Sequence, residues 1–499
     1  IMPSLVGSEM CIRDSMNTDQ KSSSAGLKRP IKTHHLVMLS LGGAIGTGLF
    51  VGSGEVIRQA GALGAILAYI FGGAVTYMVM MCLGELTAYL PASDSFSYYA
   101  TRFIGPGTGY MIAWAYWLTW TLTLGVDFTA AGVISHEWLP SIPIWSWVLF
   151  FCLLILLFNL YSTRLFVESE FYLSLIKVLT VMAFIVLGLV VLTNLWPLFP
   201  DKPYPDKYLE NFSSVALIPE GLLGILSTML LVSFSFTGTE LVAVAAGETV
   251  DPSKSVPQAI KATFWRLLVM FIGTISIIAF LFPRDILGLK TSEGVSTSPF
   301  ILLFQQLNIP YTQEIIRIVI IIALLSSASA GLYGASRMLW AMSKEYHLPP
   351  WLSKLNGRSV PVYTVLLTTL GGAPGLFLKY FSLDSVLNVI IDLSAFTMIL
   401  VWMAICLSHY NFHKEHLKQY GNLKDLPYVA PWFPFLPMAG LICLTITALS
   451  MLIDKSRLPA FICCLVFVAA CYIYYYWKEY PARKKSIPSI KKPRQKQGL

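Results

Sequence analysis

Seven consecutive residues, Phe234-Ser235-Phe236-Thr237-Gly238-Thr239-Glu240, place an acid, a glycine and three hydroxyl side chains inside the apolar run from Leu222 to Ala246. Backbone amides and carbonyls in hydrocarbon need partners, so an interruption of this kind is tolerated where it lines a cavity or binds something. A second interruption, Gly42-Gly43-Ala44-Ile45-Gly46-Thr47-Gly48, lies within the apolar run Leu36 to Val51. The amides of Thr47 and Gly48, at the start of a fresh helix with its positive end behind them, suit a carboxylate. Carbonyls and an acid at the other break suit a cation. Close packing between helices would account for the glycines but not for Glu240. Two broken helices in corresponding halves of a chain point to a substrate site.

Further ionisable residues stand in apolar surroundings. Lys177 lies about two turns in from Glu168 and Glu170, deeper than snorkelling reaches with ease. A lysine inside a membrane costs roughly 2.5–3.5 kcal/mol on insertion scales and is a functional candidate by default. Burial also readies such a lysine to exchange a proton. Tyr116, Trp120, Thr123 and Asp127 recur at helical offsets and share one face. Asp127 is expected toward the outer end, either attracting cations or simply solvated. Asp392 is a further intramembrane acid with no partner readable from the sequence. Glu85 and Glu248, near segment ends, read as structural acids. Glu248 is eight residues from Glu240, about 80° round a helix, so the two need not share a site. The run Ser326-Ser327-Ala328-Ser329-Ala330-Gly331 suits close helix contact. It also suits hydroxyl ligation of a sodium ion.

These residues need membrane helices to hold them. The chain has 499 residues, of which 56% are hydrophobic and 12% charged, a composition foreign to soluble enzymes. Twelve segments are long enough to span a bilayer: 36–59, 62–90, 107–136, 143–160, 170–195, 221–248, 260–283, 314–343, 361–380, 384–408, 430–453 and 458–477. With both ends inside, Lys and Arg divide 24 to the cytoplasmic side against 8 outside, which sets the orientation. The net charge of +8 therefore reflects topology and anionic lipid, not nucleic acid. Seven of the eight cysteines fall in apolar segments, spaced neither for metal nor for a disulfide framework. No P-loop, nucleophile–base set or metal cluster marks an enzyme or a primary pump. Residues 1–15 have no signal-peptide core and resemble translated adaptor sequence, so the native start is expected at Met16. The expected organisation is a cytoplasmic tail 16–35, a transmembrane domain 36–480 and a basic cytoplasmic tail 481–499.

The motifs GGAIGTGLFVGSG (42–54), LGELTAYLP (83–91), SFSFTGTELVAVAAGE (233–248) followed by DPSKSVPQA, and ASRMLWAMS (335–343) together resemble the amino-acid transporter family of the amino acid–polyamine–organocation superfamily. The resemblance covers essentially 34–480. The stretches 115–132, 168–178, 298–306 and 424–428 are similar to its lysine-permease branch, although Asp392 stands where that branch would have Asn. The resemblance implies an all-α polytopic membrane protein of the LeuT-type fold. It would have 12 transmembrane helices, a 5+5 inverted repeat with broken helices 1 and 6, and two extra helices. Carried over position by position, Gly43, Ala44, Ile45, Gly46, Thr47 and Gly48 match a carboxylate-binding break. Phe234, Ser235, Phe236, Thr237, Gly238 and Glu240 match the break that receives the amino group and supplies a gating aromatic. Tyr116 and Trp120 match pocket aromatics. Lys177 matches a lysine standing in for a sodium ion, with Glu240 sharing the proton-coupling role.

The expected activity is secondary active import of a cationic amino acid, lysine or arginine, by proton symport across a bacterial inner membrane. The partners are then the amino acid, the proton and the bilayer, with no nucleic acid, cofactor or metal. Two rivals use the same broken helices. One is a permease for a neutral or aromatic amino acid. The other is an amino-acid sensor, for which the tails are short.

Overall fold

The computed structural model describes residues 31–92, 94–193, 218–282, 287, 298–306, 311–372, 383–423 and 426–482. The expected leader 1–15, the tail up to Pro30 and the basic run from Arg483 lie outside them. Among the described residues the secondary structure is helical, apart from one isolated bridge between Ile31 and Thr249.

Each of the twelve expected spans contains helix among the described residues, with 373–380 of the ninth lying outside them, and the helices are numbered here by span in chain order. Span 1 comes in three pieces, Thr33–Ala44, Thr47–Phe50 and Gly52–Ala60. Spans 2 to 5 are Ala62–Tyr89, Pro106–Trp138, Ile144–Tyr161 and Thr163–Leu192. Span 6 is Gly221–Ser235, then Leu241–Val244 with a 3₁₀ turn Ala245–Glu248. Spans 7 to 12 are Pro252–Leu281, Thr312–Glu345, Val362–Gly371, Leu383–Tyr420, Phe435–Leu449 and Leu458–Tyr474. Nine helices among the described residues have the length and apolarity to cross a membrane. The other three are spans 1 and 6, each interrupted, and span 9, whose described helix Val362–Gly371 has 10 residues.

The ends follow local chemistry. Gly61, at φ 79°, turns the chain from span 1 into span 2 where a side chain would be strained. Pro106 and Pro252 open spans 3 and 7 at the first turn, where a missing N–H costs nothing. Ser162 caps span 5 by accepting from the Leu165 amide at 3.1 Å.

Span 3 is the axle. Its apolar stretch is 89% buried, against 22% for spans 4 and 5 at the edge. It packs on spans 8 and 10, while span 1 packs on spans 5, 7 and 8. Peripheral helices instead turn large apolar side chains outward, such as Leu157, Leu179 and Val186. With no water in a bilayer core such faces are solvated by lipid, and only polar backbone must be hidden. The breaks of spans 1 and 6 meet, with Gly238 lying against the backbone of Gly43 and Ala44.

Candidate functional site

The break in span 1 is narrower than the glycine run suggested. Gly42, Gly43 and Ala44 stay helical, and only Ile45 and Gly46 leave the helix. The Gly46 carbonyl then accepts from the Leu49 and Phe50 amides at 3.2 and 3.1 Å and starts the next helix. The glycines provide close approach. A Cβ on Gly46 would stand 2.6 Å from Ser327 Oγ, and one on Gly48 would stand 2.5 Å from Ser235 Cα. In span 6 the helix stops at Ser235, and Gly238 takes φ +107°, a conformation open to glycine. Side chains fasten the two breaks. Ser40 Oγ donates to the Thr239 carbonyl at 3.1 Å, and Ser327 Oγ donates to the Gly43 carbonyl at 3.3 Å. Thr47 donates to Asp127, joining span 1 to span 3.

Between the breaks lies a small space walled by Gly46, Thr47, Trp120, Asp127, Phe234 and Thr237, among others. Its volume is about 10 Å³, room for about one water. Thr47, Gly48 and Phe234 also border a far larger vestibule of about 660 Å³ on the side of Arg58, Asp392 and Arg457. Phe234 thus borders both the vestibule and the central space.

Not every expected site residue meets there. Gly43, Ala44, Gly46, Thr47, Gly48, Trp120, Phe234 and Thr237 line the central space. Phe236 faces away and packs on Phe271 and Tyr69, with ring centroids 4.8 and 6.2 Å distant. Ser235 is bonded to Tyr69 and to its own helix. Ile45 is fully buried. Glu240 sits behind the break: its Oε2 accepts from the Gly238 amide at 2.9 Å, and its Oε1 has no hydrogen-bond partner among the described residues. Tyr116 and Trp120 lie beside this carboxylate. Both aromatics are seated by the small residues of span 8. A Cβ on Gly334 would be 2.8 Å from the Tyr116 hydroxyl, and one on Gly331 would overlap the Trp120 ring.

Lys177 is fully buried, and its Nζ donates to the Gly42 carbonyl at 2.5 Å. Glu170 Oε1 is 4.0 Å from the same nitrogen. Two unmatched charges in low dielectric would be costly, and a nearby opposite charge offsets part of that penalty.

Asp127 is the main correction. It is neither at a solvated rim nor exposed; it is fully buried at the span 1 break. Its Oδ1 takes the Thr47 hydroxyl, and its Oδ2 has no hydrogen-bond partner among the described residues. Glu170 was missed as well, although its seven-residue spacing from Lys177 puts both on one helix face. Asp392 lines the vestibule 3.9 Å from Arg457 Nε. Asp454, in the loop beside it, is pushed up by burial. Donors on Ser456 and the nearby Arg457 outweigh this and hold its carboxyl below the usual range.

The remaining acids are structural. Glu248 accepts from Tyr333 and from Arg337 Nε, each at 3.0 Å. Glu85 accepts from His409 at 2.8 Å, His413 at 2.5 Å and the Ala430 amide at 2.7 Å. Two histidines one turn apart with a carboxylate also form a metal-ligand set. A metal on both Nε2 atoms would place a proton on each Nδ1, and both Nδ1 atoms are buried without a partner among the described residues. Metal-bound imidazoles normally have that second nitrogen engaged. Three donors on one carboxylate is the better reading.

Comparison with known proteins adds a family. The profile described as Amino acid permease matches residues 35–487. Amino-acid permease RocE of Bacillus subtilis (strain 168) is 40% identical over 461 residues, covering 92% of this chain and 97% of the relative. A putative histidine permease of the same organism is 37% identical, covering 95% and 98%. Lysine-specific permease LysP of Escherichia coli (strain K12) is 35% identical over 436 residues, covering 87% and 88%. Among solved structures, the Eremococcus coleocola manganese transporter, crystallised with an aromatic bis-isothiourea substituted compound, superposes with TM-score 0.54. It is 15% identical, covers 89% of this chain and 93% of its own, and shares the fold alone.

Proposed function

The chain belongs to the amino acid permease family, a family of membrane transporters and not enzymes, and from that premise we propose that it imports a cationic amino acid, lysine first and arginine second. The single observation that carries the choice of a cation is Asp127. It lines the space between the breaks and keeps one oxygen without a hydrogen-bond partner among the described residues, where the other wall groups are backbone, hydroxyl and aromatic. A buried carboxylate with an oxygen to spare favours a substrate that brings a positive group. The name of one relative, lysine-specific permease, agrees.

In this reading the substrate carboxylate rests on the amides around Gly46, Thr47 and Gly48. The amino group meets the carbonyls of the span 6 break, with Glu240 behind them, and the side-chain cation meets Asp127. Trp120 forms the apolar wall, and Phe234 swings aside for entry from the vestibule. The central space must widen, which the paired breaks allow because each half-helix moves without unravelling the other.

Lys177 occupies the position of a coupling cation. Protonated, it holds the Gly42 carbonyl and so the first piece of span 1; deprotonated, it holds it weakly. The cycle is proton symport by alternating access in a bacterial inner membrane, with both termini cytoplasmic. Domain limits are those expected from the sequence, with the transporter proper at 36–480. Competition for uptake of labelled lysine by arginine, histidine and phenylalanine tests the substrate class. Strong inhibition by phenylalanine alone would assign the site to an aromatic amino acid.

A further inference from the structure

Glu170 is a buried carboxylate that substrate binding does not use, set where three spans meet. Its Oε1 accepts from Ser326 Oγ of span 8 at 2.5 Å and from Ser174 Oγ at 3.3 Å. The same oxygen lies 4.0 Å from Lys177 Nζ, while Oε2 has no hydrogen-bond partner among the described residues. Gly42 makes this placement feasible, since a Cβ there would overlap both Glu170 Oε1 and Ser174 Oγ. Lys177 Nζ therefore has two oxygen neighbours on different elements, a hydrogen-bond acceptor at 2.5 Å and an ion-pair partner at 4.0 Å. One is the Gly42 carbonyl on the first piece of span 1; the other is a carboxylate on its own helix, fastened to span 8.

The seam between spans 1 and 5 continues toward the expected inner end with more ionisable groups. His35 of span 1 faces Glu168 of span 5, Nε2 to Oε2, at 4.0 Å. The histidine is buried, whereas the Glu168 side chain is 50% exposed. Asp127 of span 3 is the other charged group acting on Lys177 among the described residues, and span 8 offers Glu170 a hydroxyl. His35 and Glu168 lie closer to the N-terminal ends of spans 1 and 5 than Gly42 and Lys177 do.

We propose that Glu170 is the proton acceptor for Lys177 and the first station of an exit path through His35 and Glu168 to the inner side. This deepens the symport reading and rests on it. In the step, an N–H bond of the Lys177 ammonium breaks and an O–H bond forms on Glu170. An ion pair becomes a neutral amine and a neutral acid. The net charge of the pair stays zero during this transfer; it becomes −1 only when Glu170 gives up its proton, and protonation of Lys177 for the next cycle restores neutrality. The amine then holds the Gly42 carbonyl weakly, and the first piece of span 1 is free to move. Glu170 next passes its proton to His35 or to water beside Glu168 and returns to a carboxylate. Glu170 governs coupling and leaves recognition of the amino acid to the central site.

The test uses the purified full chain in proteoliposomes with two readouts, accumulation of labelled lysine on an inward proton gradient and lysine-for-lysine exchange without one. Glu170→Gln is expected to slow gradient-driven uptake about a hundredfold, the lower end of what a positioned proton acceptor contributes, while exchange continues. Gly42→Ala, which displaces Glu170 with every ionisable group intact, should show the same split. Lys177→Ala/Glu170→Gln should be no worse than Lys177→Ala alone, since the pair acts as a unit. Glu170→Gln that still accumulates lysine with the wild-type pH profile overturns the proposal. If Glu170→Gln loses exchange too, Glu170→Asp decides: recovered gradient-driven accumulation supports the relay, and recovered exchange without accumulation overturns it. A wild type indifferent to the proton gradient overturns the symport reading, and the relay with it.

Discussion

The hydroxyl of Thr47, in the first turn after the span 1 break, donates to Oδ1 of Asp127 on span 3. That bond holds one carboxylate oxygen and leaves the other without a hydrogen-bond partner among the described residues, in a side chain that lines the central space. Asp127→Asn keeps the shape and the Thr47 contact but removes the charge. Lysine affinity should fall by about 2 kcal/mol or more, roughly thirtyfold. Competition binding measures it, and an unchanged lysine constant would exclude Asp127 as the partner of the substrate cation.

Gly46 has no room for a side chain, because its Cβ would press on Ser327 Oγ at 2.6 Å and Ser327 Cβ at 2.9 Å. Gly46→Ala should abolish uptake while the protein still inserts and purifies as a single species. Adding Ser327→Gly removes the obstacle and should recover part of the transport. Normal lysine affinity in Gly46→Ala would show that the break does not bind the carboxylate.

Glu240 and Glu248, eight residues apart, should fail differently. Glu240→Gln, next to the break, should weaken lysine binding about thirtyfold or more, in line with losing a buried charge partner. Glu248→Gln strands Arg337, whose guanidinium also stacks over Tyr333 at 3.9 Å. Losing one partner of such a pair costs about 3–5 kcal/mol of stability. Thermal unfolding in detergent and binding by the surviving fraction separate the two. A binding defect in Glu248→Gln equal to that in Glu240→Gln would reverse the assignment.

Asp94, in the turn after span 2, is pushed up to about 7, first by burial and then by nearby Glu345. The folded state thus prefers the protonated acid. Its stabilising contribution is full below the ordinary value of 3.8 and is lost as pH rises through about 7. Asp94→Asn should therefore raise the melting temperature at pH 8 relative to wild type, with little change at pH 4. Equal shifts at both values would refute this origin.

The bilayer explains how much was legible. A span must be long and apolar, and a break in it must have a reason, so the all-helical membrane fold and both interruptions were readable from the apolar patterning of the chain. Periodicity supplies an angle round a helix but neither depth nor neighbour. Asp127 was on the right face of span 3, yet its level beside Thr47 depends on how span 1 packs. Phe234 and Phe236 are two positions apart and point to opposite sides of one helix turn. Which of them meets the cavity follows from the placement of Tyr69 and Phe271, far away in the chain. Glu85 read correctly as a satisfied acid, but its donors His409 and His413 come from span 10 and left no local sign.

The most direct measurement is labelled lysine uptake by the purified protein in proteoliposomes, with and without an inward proton gradient, in sodium or choline buffer. The proposal that Lys177 fills the place of a coupling ion predicts accumulation above equilibrium that appears with the proton gradient and is the same in either buffer. Lys177→Ala should lose that accumulation and keep some exchange. Uptake that requires sodium, or an alanine variant that still concentrates lysine in response to pH, would contradict proton coupling through Lys177.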